Sequence, residues 1–374
     1  MPAYALCMII GATLGIGINR FVDRFGYIRR CRSPFSMRSL GVVFFTAIGT
    51  AALYGLETNR QFLLPAGLPP ESAETALCRF AVHIIFAVFL LTATLTDFDD
   101  MVISDIITVP GTLLALIFAA LLPQTALPVT EILWMPDSLF PKYSSLSVPM
   151  NLWSPNPAGE THSAAAAVTM IALWWFWCFA MLNRIWRSQL PLRKSFLLFC
   201  RYLYRSPRTK FFVLAAVVLP IGFLLPVNRL ALLSALTGMT AGMVLIWGFR
   251  LIARGVLGFE AMGFGDVTLM GMIGAFLGWQ PCLLIVFTAP FAGLIYGIIH
   301  ALLGKGTALP YGPFLCLAAM VLTVLWGAVW QCTAEWFSLG ILNIGLAMSV
   351  IFILFGVLLY VVHRMMLTLR FLLK

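Results

Sequence analysis

The stretch Ala261-Met262-Gly263-Phe264-Gly265-Asp266-Val267 places a carboxylate at the start of a long apolar run. Holding a charged side chain at bilayer depth costs roughly 2.5–3.5 kcal/mol even on lenient insertion scales. A residue with that cost is expected to have a function. The bracketing glycines, Gly263 and Gly265, remove side chains around Asp266, so that another backbone can approach the carboxylate closely.

The composition of the whole chain is that of a membrane protein. Of 374 residues, 61% are hydrophobic and only 10% are charged, whereas about 25% are charged in a typical soluble domain. The mean hydropathy is +0.98. Runs of about 20 apolar residues, the length that crosses a bilayer, account for nearly all of the sequence. We therefore predict an all-α polytopic membrane protein without a large extramembrane domain.

Polar breaks divide the chain into about eleven candidate transmembrane helices. They cover residues 3–19, 39–55, 77–96, 106–123, 163–182, 211–227, 230–249, 267–278, 281–302, 311–330 and 341–363. If the first connection is cytoplasmic, 20 of the 24 Lys and Arg residues lie on the cytoplasmic side. The positive-inside rule then predicts an external N-terminus and a cytoplasmic C-terminus. Because the charges flank the spans, the net charge of +10 does not indicate binding to nucleic acid.

The span that begins at Asp266 is short. From Asp266 to Trp279 the chain advances 13 residues, or about 20 Å of helix against a hydrocarbon core of about 30 Å. If Trp279 lies at the outer interface, Asp266 lies below the inner membrane surface, in a water-filled depression. A helix that continued through Gln280 and Pro281 would remove this constraint.

The predicted topology places Asp97, at the inner end of the third span, on the same membrane face as Asp266. Two carboxylates brought close together cannot both ionise cheaply, so such a pair shares a proton. One member then activates water while the other donates to a scissile carbonyl, which is the chemistry of an aspartic protease. This chemistry needs neither a metal nor an organic cofactor. The eight cysteines form no Cys-x-x-Cys pair and are interpreted as packing residues.

Three segments resemble, in order, those of the type IV prepilin peptidase family. The first is Leu95-Thr96-Asp97-Phe98-Asp99-Asp100, continued by Ser104-Asp105-Ile106-Ile107-Thr108-Val109-Pro110-Gly111. The second is Ala261-Met262-Gly263-Phe264-Gly265-Asp266-Val267-Thr268-Leu269, which is similar to the GxGD segment. The third is Leu309-Pro310-Tyr311-Gly312-Pro313-Phe314-Leu315. The resemblance is good over residues 77–123 and 211–330 and weaker near the N-terminus.

The resemblance implies that Asp97 and Asp266 are the catalytic pair of a GxGD-type intramembrane aspartyl protease. Such enzymes lie in the bacterial inner membrane and cut leaders from the precursors of type IV pilins and of the pseudopilins of type II secretion. Cleavage takes place at the cytoplasmic face, after a glycine and before a hydrophobic helix. Pilin-like precursors and the lipid bilayer are therefore the expected partners, and the oligomeric state is left open.

The same resemblance suggests an organisation into five regions. They are an N-terminal two-span region (1–76), a first catalytic segment (77–123), an insert (124–210), a GxGD core (211–330) and a C-terminal span (331–374). The insert comprises a proline-rich external flap, one span and a basic cytoplasmic segment. Cys31-Arg32-Ser33-Pro34 is all that resembles the two Cys-x-x-Cys pairs of bifunctional members, so the sequence gives little support to N-methyltransferase activity.

Supporting roles are assigned to residues around the pair. Gly263, Gly265, Pro310 and Gly312 are expected to position substrate. Asp99 is either a binding group for a basic leader or a solvated loop charge, and Glu260 either tunes Asp266 or is a surface carboxylate. Asp105 either supports the site or, with Ser104, caps the helix that follows.

Two alternatives to a protease remain open. The chain would be a secondary transporter if its carboxylates carried protons or cations. It would be a silent relative if it bound precursors or scaffolded a secretion assembly without cleaving them; the serine at position 104, where the family has proline, and the insert at 124–210 keep this alternative open.

Overall fold

The structure is a computed structural model of the chain. It describes residues 2–25, 36–59, 63–65, 71–130, 143–144, 164–182, 206–222, 229–258, 262–303, 310–338 and 341–372, with the single residues 194 and 201. Cys31, Glu260 and most of the predicted flap and basic segment lie outside these residues. The described residues of the flap include a two-residue antiparallel ladder, β1 (Val129–Thr130) with β2 (Tyr143–Ser144).

The described residues form twelve α-helices. They are α1 (Pro2–Phe25), α2 (Met37–Tyr54), α3 (Ala73–Asp100), α4 (Asp105–Leu121), α5 (Ala164–Met181), α6 (Pro207–Gly222), α7 (Arg229–Leu257), α8 (Phe264–Leu277), α9 (Trp279–Leu302), α10 (Gly312–Val324), α11 (Trp326–Ser338) and α12 (Ile341–Leu372). A helix therefore lies at each of the eleven predicted positions, and the prediction of an all-α polytopic membrane protein is confirmed.

Within the described ranges, six helices are long and apolar enough to cross a membrane. A seventh crossing is obtained if α10 and α11, which meet at an angle of 94°, are counted as one broken span. The helices α4 and α8 and residues 168–181 of α5 are apolar but shorter. The number of spans and the orientation of the termini thus stay predictions.

The tenth predicted span is not a single straight helix, because the chain turns at Leu325 between α10 and α11. At the turn, the indole N–H of Trp326 donates a 2.7 Å hydrogen bond to the carbonyl of Pro128. Trp326 is fully buried. This contact joins the start of α11 to the segment that follows α4, 198 residues earlier in the chain. The apolar pattern of the span does not reveal such a distant partner.

The short helix α8 lies at the centre of the core. Eleven of its fourteen residues are buried, as expected for a helix that is apolar on every side. It crosses α7 at close range: a Cβ on Gly274 would overlap the Gly238 carbonyl oxygen. The helix ends at Leu277, and Gly278, with φ 93°, separates it from α9. The prediction of a short helix is therefore confirmed, and Gln280 and Pro281 belong to α9.

The N-terminal helices α1 and α2 form a closely packed pair at the side of this core. A Cβ on Gly11 of α1 would come 2.8 Å from the Cα of Ala47 on α2. The pair contacts α3 through a small separate cluster made by Ile18, Val22 and Val42.

Candidate active site

Three helix ends meet at one point in the structure. Asp97 lies in the last turn of α3, Asp266 in the first turn of α8, and Gly312 opens α10. A Cβ at Gly312 would lie 2.6 Å from Asp97 Oδ2 and 3.4 Å from Asp266 Oδ1. These two oxygens are therefore no more than about 6 Å apart, a separation at which two carboxylates influence each other's ionisation.

Asp97 is held at the point where α3 stops. Its side chain is buried and accepts a hydrogen bond from the backbone N–H of Gly312. Its own carbonyl accepts the N–H of Met101, which ends the helix in the left-handed conformation with φ 52°. Because Gly312 is the first residue of α10, the carboxylate faces the positive end of that helix.

Asp266 is also buried and lies at the third position of α8. Its carboxylate accepts a hydrogen bond from the backbone N–H of Gly263, the residue that precedes the helix. This is the acidic half of a capping box, in which an acid at the third position satisfies a free N–H at the helix start. The local GxGD sequence thus fixes the direction of the carboxylate that it contains.

Arg250 of α7 supports the turn that carries Asp266, a role that the sequence analysis missed. Its side chain is buried, and its Nε donates a 2.9 Å hydrogen bond to the Met262 carbonyl. The guanidinium carbon lies 5.7 Å from the centre of the Phe264 ring, and its charge acts on Asp266. In the sequence, Arg250 is one of the 20 Lys and Arg residues that are predicted to lie on the cytoplasmic side.

If the site cleaves peptide bonds, as the resemblance to the prepilin peptidase family implies, Arg250→Met is expected to lower the kcat for cleavage about 10–100-fold. The Met262 carbonyl would lose a buried donor, at a cost of about 1–3 kcal/mol, and Asp266 would lose a neighbouring positive charge. Initial rates would be compared with those of Arg254→Met, one turn further along α7 on an exposed face, which should behave as wild type. Arg250→Lys should recover part of kcat with little change in KM; a uniform rise in KM instead would mean that Arg250 binds substrate.

The second glycine of the GxGD segment is required by a close backbone contact. A Cβ on Gly265 would lie 2.9 Å from the Cβ and 3.0 Å from the carbonyl oxygen of Ile103, in the connection between α3 and α4. A Cβ on Gly263 would meet its nearest atom among the described residues, Asp266 Oδ2, at 3.7 Å, which is an ordinary contact. The two glycines therefore differ in what they permit.

For the cleavage that the resemblance implies, Gly265→Ala is expected to reduce the rate about 100-fold, whereas Gly263→Ala is expected to stay close to wild type. Alanine gains about 1 kcal/mol in helix propensity over glycine. The clash at Gly265, however, moves backbone beside both aspartates, and a displacement of about 1 Å at a reaction centre costs about 100-fold in rate. Rates and unfolding temperatures of the pair would be measured together. Equal activities of the two variants would contradict this prediction.

A buried threonine pair, also missed in the sequence, joins α4 to α8 beside the site. Thr108 donates a 3.3 Å hydrogen bond to Thr268, whose hydroxyl donates to the Gly265 carbonyl at 3.0 Å. Thr108 belongs to the segment after Asp97 and Thr268 to the segment after Asp266. The two family-like motifs thus hold each other in register.

The structure describes three of the four remaining predicted site residues. Asp99 pairs with Arg38 of α2 at 2.8 Å. Asp105 occupies the first turn of α4, where the Ser104 side chain caps the helix by accepting the Ile106 N–H at 3.3 Å. Pro310 is buried two residues before Gly312. Glu260 lies outside the described residues.

Together these observations define a polytopic helical membrane protein with two buried aspartates from separate helices at a shared site. Residues 207–298, which include Asp266, match the model of the type IV leader peptidase family. Over this stretch, which we call the leader peptidase segment, the chain is similar to that family.

Three curated relatives illustrate the similarity, each named prepilin leader peptidase/N-methyltransferase. That of Stutzerimonas stutzeri is 34% identical over 129 residues, which are 32% of this chain and 44% of the relative. Those of Pseudomonas aeruginosa and Aeromonas salmonicida are 36% and 34% identical over 97 residues, which are 25% of this chain and 33% of each relative. The chain thus spans less than half the length of these relatives. No solved structure matches the chain.

Proposed function

We propose that the chain is an aspartic endopeptidase of the prepilin peptidase type, with Asp97 and Asp266 as its catalytic pair. The observation that carries the proposal is the meeting of both carboxylates at Gly312, in a chain whose leader peptidase segment contains Asp266. The proposed substrates are pilin-like precursors, cut at the cytoplasmic face of a bacterial inner membrane. The catalytic regions would be residues 77–123 and 211–330, since they supply α3, α8 and α10.

In the proposed reaction, the pair holds one proton between its two carboxyl groups. The ionised carboxylate accepts a proton from a water molecule, which attacks the scissile carbonyl carbon. The protonated carboxyl donates to the carbonyl oxygen, so that charge does not accumulate on it. The carboxyl that took the proton from water then donates it to the amide nitrogen as the C–N bond breaks, and the pair again shares one proton. The backbone N–H of Gly312 and the capping N–H of Gly263 hold the two carboxylates in place through this exchange. We assign the two roles to the pair rather than to individual residues.

We also propose that Asp99 contributes to recognition of a basic leader. Asp99 follows Asp97 by two residues and lies in the same last turn of α3. Asp99 is paired with Arg38, so a lysine or arginine of the leader would replace Arg38 as the partner of this carboxylate. The remaining regions, 1–76, 124–210 and 331–374, are proposed to surround the catalytic core rather than to contribute to the reaction.

The test is the intact mass of a pilin-like precursor co-expressed with the protein. Loss of the leader mass, ending after a glycine, is the expected result, with cells that lack the protein as the control. A further mass increase of one methyl group at the new N-terminus would show the second activity named in the relatives. An unchanged precursor mass across a panel of such precursors would contradict the proposed function and favour a precursor-binding relative or a transporter.

A further inference from the structure

We propose that an apolar groove between α1, α2, α3 and α10 binds the hydrophobic helix of the protein substrate beside the aspartate pair. The inference rests on the proposed function and adds to it the place where the membrane-embedded part of the substrate lies. The groove has a volume of about 290 Å³, and neither Asp97 nor Asp266 lines it.

One end of the groove lies next to the candidate active site. Thr94 lines it from α3, one helical turn before Asp97, and Pro313 lines it from α10, directly after Gly312. A Cβ at Gly312 would lie 2.6 Å from Asp97 Oδ2 and 3.4 Å from Asp266 Oδ1. A helix seated in the groove would therefore present the peptide bond just beyond its end to the aspartate pair.

The groove opens on the outer surface of the helix bundle. Phe45 of α2 and Leu317 of α10 line it and are 68% and 53% exposed. Along α3 its lining runs from Ile84 to Thr94, about 15 Å or nearly three helical turns. A substrate helix could thus enter sideways from the bilayer, without passing through the protein.

The α2 side of the groove allows close approach of a helix. Gly49 lines it, and a Cβ at that position would meet no atom of the described residues within 4 Å. Thr46 and Thr50 beside it are small, and small residues are those that let membrane helices pack closely. The volume accommodates side chains from one face of a helix, which is the way that membrane helices associate.

The first test fills the groove with Gly49→Leu. We expect kcat/KM for a precursor with its hydrophobic helix to fall at least about tenfold, as overpacking of a binding surface predicts. Cleavage of a peptide that spans the leader and scissile bond but lacks the helix should stay unchanged. The control is Gly41→Leu on the same helix. A Cβ at Gly41 likewise meets nothing within 4 Å among the described residues, and Gly41 does not line the groove.

The outcomes separate the two proposals. Wild-type protein that cleaves neither substrate would contradict the proposed function itself. Wild-type cleavage with an unaffected Gly49→Leu variant, or with equal losses on both substrates, would overturn the groove alone.

The second test measures binding without turnover. A photoreactive phenylalanine derivative in place of Leu317, in the Asp97→Asn protein, is expected to cross-link to the hydrophobic helix of the co-expressed precursor. The same group at Leu294, an exposed position on α9 that does not line the groove, is the control. Cross-links to phospholipid alone, or to a second copy of the chain alone, would overturn the proposal.

Discussion

Asp97→Asn and Asp266→Asn are each expected to reduce precursor cleavage at least about 10²–10⁴-fold, the contribution of a positioned acid or base. Asparagine has nearly the shape of aspartate, and its carbonyl oxygen still accepts the N–H of Gly312 at position 97 or of Gly263 at position 266. It neither takes a proton from water nor donates one as a carboxylic acid. Initial rates of purified protein in detergent, with unfolding temperatures, measure the effect.

The double variant is expected to be no slower than either single variant. The two carboxyl groups share one proton and act as a unit, and residues that act as a unit have strongly non-additive effects on rate. Asp23→Asn, at the end of α1 and outside the site, controls for the loss of a carboxylate at a helix end. Substantial activity in either single variant would exclude a catalytic pair made of Asp97 and Asp266.

The position of the aspartates could be reasoned from topology, because helix ends alternate between membrane faces. The predicted span count puts Asp97 and Asp266 on one membrane face, although 169 residues separate them, and the structure brings both carboxylates to Gly312. The short length of α8 was predicted from the 13 residues between Asp266 and Trp279, although the sequence left open a continuation through Gln280 and Pro281. Both predictions use only the local sequence and the number of spans between the two aspartates, which can be read from a single sequence.

The support around the pair could not be read in the same way. In the sequence, Arg250 is one of the positive charges that predict the orientation of the spans. Its acceptor, the Met262 carbonyl, becomes its neighbour only when α7 and α8 fold together. The break between α10 and α11 depends on a hydrogen bond from Trp326 to the distant Pro128. Such contacts between remote segments leave no periodic signal along the chain.

The glycines illustrate the same division. Gly263 and Gly265 were both assigned to substrate access because they bracket Asp266. In the structure, Gly265 is the more tightly confined of the two, by the backbone of Ile103. Its role is therefore to let the α3–α4 connection approach the GxGD turn, and only the three-dimensional arrangement distinguishes it from Gly263.

Gly312→Ala is expected to lower kcat about 100-fold or more while leaving the fold nearly as stable as wild type. The new methyl group would lie 2.6 Å from Asp97 Oδ2 and 2.6 Å from the Ile103 Cδ1 atom. Both are ends of side chains, so they move aside at moderate cost, which the gain of about 1 kcal/mol in helix propensity partly offsets. The carboxylate that moves is, however, a proposed catalytic group, and a displacement near 1 Å at such a group costs about 100-fold in rate.

This prediction separates the site from the packing around it. Gly293→Ala serves as the matched control, because its Cβ would press on the Phe314 ring of α10 at 3.3 Å without reaching either carboxylate. Thermal unfolding and cleavage rates of both variants would be measured side by side. Loss of activity in Gly312→Ala alone, at similar unfolding temperatures, is expected if both aspartates act at Gly312. Full activity in that variant would mean that the reaction does not depend on the position of Asp97, and the proposed pair would have to be abandoned.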